Sequence, residues 1–278
     1  MKKILNITII GLGHIGGSLA SSLKNTHGKK VSIIGIDNSP SVIRQALKSG
    51  FFSEVSTLRK SKTISESNVI FVSVSIRSIP LIFSELIKVN FKHNIIITDV
   101  GSVKEEIFNS ATKILPEKFE FVGGHPIAGT EKTGFKNLVS GLFENKPVFI
   151  SGVRAKNKSI GLIKNLWKSL GCLVYSIPPS EHDKIFGHLS HLPHVLAFGL
   201  KNIANKKLTS KEILKYGGTS YKDYSRISES SEALWSEIFL SNRKNLIKGI
   251  KEFRVYLDKL ESLLESNSKE KTEKHLKS

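Results

Sequence analysis

The sequence predicts an α/β chain: a doubly wound, mainly parallel sheet at the amino end, followed by an all-helical segment. Three observations predict it. β-rich apolar runs alternate with helical patterns from residue 1 to about 178. A glycine turn follows the first of those runs. Beyond about 179 the strand-type runs stop and helical periodicity takes over. With 278 residues, 39% of them hydrophobic, the chain can bury a sizeable core and is long enough for two domains, expected at 1–178 and 179–278.

The first apolar run, Ile4 to Ile10, follows Met1-Lys2-Lys3 and imitates a secretory signal. Asn6 and Thr8 interrupt it, and it runs directly into a glycine motif that cleavage would destroy, so it is expected to be the first strand. Further strands are expected at 31–36, 69–74, 95–99, 119–123, 147–150 and 172–177. Ser39-Pro40 places a capping hydroxyl before a proline suited to a first helical position. Ser102-Val103-Lys104-Glu105 reads as a capping box, and Ser180-Glu181-His182-Asp183 as its acidic analogue. Helices are expected at 181–205, 210–216 and 231–265. In the last of these, Leu234, Ile238, Asn242, Leu246, Ile250, Phe253, Leu257, Leu260 and Leu264 recur at helical spacing, a stripe suited to core or to a subunit interface. The polar tail from Ser266 is expected to fray.

The formal charge of +18 raises nucleic acid as a partner. Only seven of the 42 basic residues are Arg, the Lys are scattered, and no basic run is interleaved with aromatics. The charge therefore reads as a solvated surface that steers anionic ligands, and nucleic-acid binding is not expected. No apolar run approaches the ~20 residues needed to cross a bilayer. The single Cys172 excludes an intramolecular disulfide framework and fits a cytoplasmic location.

Gly11-Leu12-Gly13-His14-Ile15-Gly16 is a G-x-G-x-x-G between a strand and a helix. In that setting the glycines allow a tight turn, close approach of a pyrophosphate and close helix–strand packing, the signature of a Rossmann-type dinucleotide site. Asp37 lies 21 residues after Gly16, at the end of the second expected strand. Its carboxylate suits a ribose 2′-hydroxyl and repels a 2′-phosphate, and no Arg stands beside it; NAD is expected rather than NADP.

Two loops should reach the crevice at the carboxyl ends of the strands. In Asp99–Lys104, Ser102 is either a helix cap or a site hydroxyl. In Gly123–Phe135, four glycines in twelve residues make an irregular backbone, and Pro126 restricts His125 to an extended conformation. A fixed imidazole suits proton transfer near neutral pH, although a loop histidine satisfied by backbone fits the same residues. Among the later histidines, His188, His191 and His194 have near-ligand spacing. No acid or Cys is interleaved, and Pro193 would kink their helix, so no metal is expected. His182 and His188 read as packed helix histidines.

These segments resemble the prephenate/arogenate dehydrogenases of tyrosine biosynthesis. The resemblance rests on GLGHIGG at Gly11–Gly17, Asp37, DVGSVK at Asp99–Lys104, GGHPIAGTEKTG at Gly123–Gly134, HLPH at His191–His194, YKDYSRI at Tyr221–Ile227, Leu234-Trp235 and Asn242-Arg243. It implies a Rossmann-type domain followed by an all-helical domain that makes a homodimer. It also implies NAD-dependent oxidative decarboxylation of prephenate to 4-hydroxyphenylpyruvate, or of arogenate to tyrosine. By the same resemblance His125 is the general base and Ser102 supports its contact with the substrate hydroxyl. Arg226 binds a substrate carboxylate, His194 binds substrate, and Thr130 lies in a loop lining the pocket. Two positions depart from the family pattern: Ser220 stands for a glycine and Ser75 for a proline. The two substrates differ by a keto group against an ammonium, and the sequence leaves that choice open.

Overall fold

The computed structural model describes residues 4–129 and 132–277. The first part of the chain runs β1 (Leu5–Ile10), α1 (His14–His27), β2 (Val31–Ile36), α2 (Pro40–Ser49), β3 (Glu54–Ser56), β4 (Val69–Val72), α3 (Ile79–Leu86), β5 (Ile95–Asp99), α4 (Glu105–Ile114), β6 (Phe119–Pro126), β7 (Pro147–Arg154), α5 (Asn157–Ser169) and β8 (Leu173–Ser176). The eight strands form one sheet in the order β3-β2-β1-β4-β5-β6-β7-β8. Neighbours are parallel except β6 and β7. The fold is thus the expected α/β one, with a single antiparallel pairing inside it.

Each central strand is apolar on both faces, as a sheet covered on both sides requires. In β1, β2 and β4 alternate residues feed two separate cores. Ile7, Ile9, Ile33, Phe71 and Trp167 lie in one; Ile10, Ile34, Ile36, Ile70 and Val72 lie in the other. Trp167 of α5 meets Phe71 edge-on at 5.9 Å and Phe143 at 5.2 Å between ring centroids. Ser39 caps α2 by accepting from the Val42 N–H, with Pro40 in the first turn, as its sequence indicates.

The rest of the chain is helical: α6 (Pro179–Phe186), a π-helical turn at Gly187–His191, α7 (Leu192–Lys207), α8 (Ser210–Tyr216), α9 (Thr219–Ile227), α10 (Glu232–Ser241), α11 (Arg243–Glu265) and α12 (Lys269–Lys277). Two compact units emerge: Met1–Asp183 with Ser231–Ser241, and Lys184–Ser230 with Asn242–Ser278. The helix expected at 231–265 is broken at Asn242, and α10 returns to the first unit, where Ile238 is buried in the second core. Pro193 stands in a helical stretch that continues from α6 through the π turn into α7. It sits in the first turn of α7, after the π turn in which Leu192 N–H donates to Gly187 C=O. The tail is helical, with the His275 ring stacked on Tyr256 at 4.4 Å.

Trp167 is 1% exposed and joins two aromatic partners. Trp167→Ala should lower unfolding free energy by about 3–5 kcal/mol. A denaturant titration checks this; a loss below ~1 kcal/mol would mean the core collapses around the gap.

Candidate active site

The glycine turn is built as its spacing indicates. Gly11 has φ +92°, and a Cβ there would sit 2.3 Å from the Ser73 carbonyl oxygen. A Cβ on Gly16 would come within 1.9 Å of the Gly11 carbonyl oxygen. Gly13 differs: a Cβ there meets nothing within 4 Å. Gly13 is also the residue from which α1 starts, with no side-chain cap and no acid in the first turn. The positive end of α1 and its unpaired N–H groups therefore face open space beside Gly13, a cradle for a pyrophosphate. Asp37 Oδ2 accepts from Leu12 N–H at 2.8 Å, and Oδ1 accepts from Ser39 N–H at 2.8 Å. This carboxylate fixes the turn and retains lone pairs for a ribose diol. The residues present fit NAD.

The parallel strands β1, β4, β5 and β6 bring their carboxyl ends to one edge of the sheet. That edge carries the cradle after β1, Ser102 after β5 and His125 at the end of β6. His125 is not in a loop, as its glycine-rich surroundings suggest. It lies within β6 opposite Phe149 of β7, so the antiparallel ladder holds its backbone. His125 is 8% exposed, and its Nδ1 lies 2.8 Å from Nε2 of His182, a fully buried residue of α6. His182 Nδ1 lies 2.7 Å from Asp183 Oδ1.

Asp183 also holds α4. Its Oδ1 accepts from Lys104 N–H at 2.7 Å and its Oδ2 from Glu105 N–H at 2.9 Å. The capping box read into Ser102–Glu105 is therefore not formed: the N-cap position falls on Lys104, and the carboxylate of Asp183 supplies the cap from α6. A carboxylate outcompetes a hydroxyl there because it adds charge to the hydrogen bond and to the helix dipole. The Lys104 ammonium is paired with Asp99 Oδ2, both groups being buried. Asp99 in turn accepts from Gly124 N–H at 3.0 Å and Gly101 N–H at 2.8 Å. The neighbours of those two glycines are His125 and Ser102. Burial is the main influence that pushes His182 below the ordinary 6.5, and the Lys104 charge adds to it; the bond to Asp183 opposes both.

In the second unit, His194 lies on α7 and Arg226 on α9, two helices that pack together. His194 Nδ1 donates to Ser190 C=O at 2.8 Å, and burial lowers its basicity. Arg226 is exposed. His191 is buried, its Nδ1 2.9 Å from the Asn242 side-chain amide. His188 is exposed and meets Glu252 at 3.2 Å. No group of three metal-ligating side chains occurs among the described residues. Thr130 lies outside the described residues. Of the two departures from the family pattern, Ser75 pairs its hydroxyl with Ser78 at 2.9 Å, and Ser220 sits inside α9. His182, Asp183 and the Lys104–Asp99 pair are what sequence reading missed. Their adjacency in Glu181-His182-Asp183 was visible, but nothing in the sequence ties residue 182 to residue 125.

The two glycines make opposite expectations. Gly13→Ala should leave the melting temperature nearly unchanged while weakening NAD binding about tenfold or more, ~1.4 kcal/mol. Gly16→Ala should instead cost about 3 kcal/mol of stability through overpacking. Calorimetry of NAD binding together with thermal melts separates the two; a Gly13→Ala chain that binds NAD normally would contradict the cradle. Stability should also fall with acid. His182 is held below 6.5 in the folded chain, so the unfolded chain binds more protons as pH drops below about 6.5. His182→Gln should flatten that slope in unfolding titrations.

The family model described as prephenate dehydrogenase, nucleotide-binding domain, matches residues 19–176, and the one described as prephenate dehydrogenase, dimerization domain, matches 178–278. The chain is 31% identical over 277 residues to prephenate dehydrogenase of Bacillus subtilis, covering 98% of this chain and 73% of that protein. It is 28% identical over 280 residues to cyclohexadienyl dehydrogenase of Zymomonas mobilis, covering 100% of this chain and 94% of that protein. It superposes on prephenate dehydrogenase of Aquifex aeolicus, solved with hydroxyphenyl propionate and NAD+, with a TM-score of 0.88 and 33% identity over 99% of this chain and 96% of that one. With two family models spanning both parts of the sequence, the chain belongs to the prephenate dehydrogenase family.

Proposed function

We propose that this chain catalyses the NAD-dependent oxidative decarboxylation of prephenate to 4-hydroxyphenylpyruvate, with His125 as general base. The observation that carries the reading is the buried imidazole of His125 on the same sheet edge as the dinucleotide cradle.

When bound, the nicotinamide accepts the hydride from the ring carbon that bears the hydroxyl. His125 takes the hydroxyl proton as that hydride leaves, which removes the cost of forming a protonated carbonyl. The ring carboxylate then departs as CO2, its bonding electrons completing the aromatic ring, and the phenolate oxygen recovers the proton from His125. Decarboxylation needs no acid of its own, because aromatisation drives it. The protein's work is alignment and charge placement. Ser102, beside the anchored Gly101, supports the contact to the hydroxyl. Arg226 recognises a substrate carboxylate, where a planar guanidinium gives two parallel bonds. His194 and Thr130 complete the substrate contacts, and Gly11, Gly13, Gly16 and Asp37 hold the cofactor.

A second substrate, arogenate, is favoured by the likeness to the cyclohexadienyl dehydrogenase of Zymomonas mobilis. The chain acts as a homodimer through its second unit, whose helices expose Leu200, Ile203, Leu214, Tyr216 and Leu257. A cytoplasmic location accords with a single thiol, Cys172, whose basicity burial pushes up to about 12.

NADH formation, measured with both acids and with both NAD and NADP, tests the reading directly; turnover of neither acid would end it. His125→Asn should lower kcat by ~10²–10⁴ with little change in NAD affinity. Unchanged turnover would remove His125 from the chemistry. Arg226→Ala should mainly raise KM, by about 10–100-fold for a lost charge-assisted pair of ~1.5–3 kcal/mol. A KM that stays put would make Arg226 structural.

A further inference from the structure

We propose that His182 and Asp183 form a positioning dyad that holds His125 in a single tautomer, with Nδ1 protonated and Nε2 ready to accept a proton. The inference rests on the reading of His125 as the base and adds two residues to the machinery that neither touches the reacting atoms nor serves only to pack.

The Asp183 carboxylate can only accept hydrogen bonds. Asp183 Oδ1 receives Lys104 N–H and lies 2.7 Å from His182 Nδ1, while Oδ2 receives Glu105 N–H. At that distance His182 Nδ1 must carry its hydrogen, because two acceptors facing each other would repel. A neutral His182 then has its lone pair on Nε2. His125 Nδ1 lies 2.8 Å away and must be the donor of that bond. A neutral His125 with one hydrogen on Nδ1 carries the lone pair on Nε2. The opposite tautomer would set two lone pairs against each other inside the protein, a cost comparable to leaving a buried polar group unsatisfied. It would be tolerated only if His182 became charged, which its full burial and the nearby Lys104 ammonium oppose.

The dyad is itself held in place. Asp183 is bound to the first turn of α4, and Lys104 at that turn pairs with Asp99. Asp99 receives the N–H of Gly124, the residue before His125. Backbone and side chain of His125 are thus anchored to two carboxylates that meet at Lys104. When the base acts, the substrate O–H bond breaks and an Nε2–H bond forms. The Nδ1–H bond persists, and the imidazolium it belongs to is stabilised through His182 by Asp183. No proton needs to move along the dyad.

The test compares two substitutions in the whole 278-residue chain with NAD bound. Gln at position 182 keeps an acceptor toward His125 and a donor toward Asp183; Leu keeps neither at similar bulk. Histidine-selective 15N NMR reads the His125 tautomer, with His125→Asn used to assign its signals. Expected in the unmodified chain are a protonated-type Nδ1 and an unprotonated-type Nε2. His182→Leu should mix the tautomers and lower kcat about 10–100-fold, the usual scale for an orienting partner, with KM nearly unchanged. His182→Gln should recover most of kcat and the tautomer. A protonated Nε2 in the unmodified chain would overturn the proposal without any variant having to fold. So would a Leu variant with normal kcat, or a Gln variant as slow as the Leu variant. If the tautomer is as expected but His125→Asn turns over normally, the base assignment fails while the dyad's effect on the ring stands.

Discussion

The buried pair of Lys104 and Asp99 is the constraint on which the carboxyl edge of the sheet depends. Both groups are withdrawn from water, the ammonium 1% and the carboxylate 0% exposed. Such a pair is stable only with its remaining hydrogen-bonding capacity filled, and removing one partner of a buried pair costs about 3–5 kcal/mol. Asp99 meets that demand with two backbone donors, Gly101 and Gly124, from the segments after β5 and within β6. One carboxylate thereby fixes the spacing of the two stretches that carry Ser102 and His125. Lys104 is also the residue from which α4 begins, so the same pair ties the cap supplied by Asp183 into the sheet.

Electrostatics is distributed according to what each ligand carries. The net charge of +18 favours the approach of a dinucleotide and of an acid with two carboxylates, over distances that salt shortens. Local selection is left to dipoles and single groups. An uncapped α1 faces the cradle, and Asp37 braces the turn while keeping lone pairs for a ribose. Burial is the main influence that keeps the His182 imidazole, behind His125, from charging.

The fold and the cofactor cradle were legible in the sequence because both depend on local pattern. Two-sided apolar strands give continuous runs such as Val69–Val72, and the glycine turn announces itself by spacing alone between a strand and a helix, with Gly16 packed on the Gly11 carbonyl five residues before it. What sequence reading missed was set by distant partners. β3 is only Glu54–Ser56, too short to show a period. The strand at 119–123 extends to Pro126 because β7 pairs with it across a bulge, which local composition does not reveal. Ser102-to-Glu105 has the form of a capping box, but a carboxylate 78 residues later in the chain takes the role. The periodic stripe after Leu234 hid the break at Asn242, whose side chain is drawn to His191 and Asn245. His182 looked like an ordinary packed histidine because its meaning lies in its distance to His125.

Under the proposed mechanism a substrate hydroxyl meets Nε2 of His125 beside the nicotinamide. The most direct measurement is a crystal structure of this chain with NAD and a hydroxyphenyl product analogue. The phenolic oxygen is expected within about 2.6–3.2 Å of that nitrogen, hydrogen-bond reach for proton transfer. A phenolic oxygen bound elsewhere, with the His125 ring turned away from it, would remove His125 from the role of base.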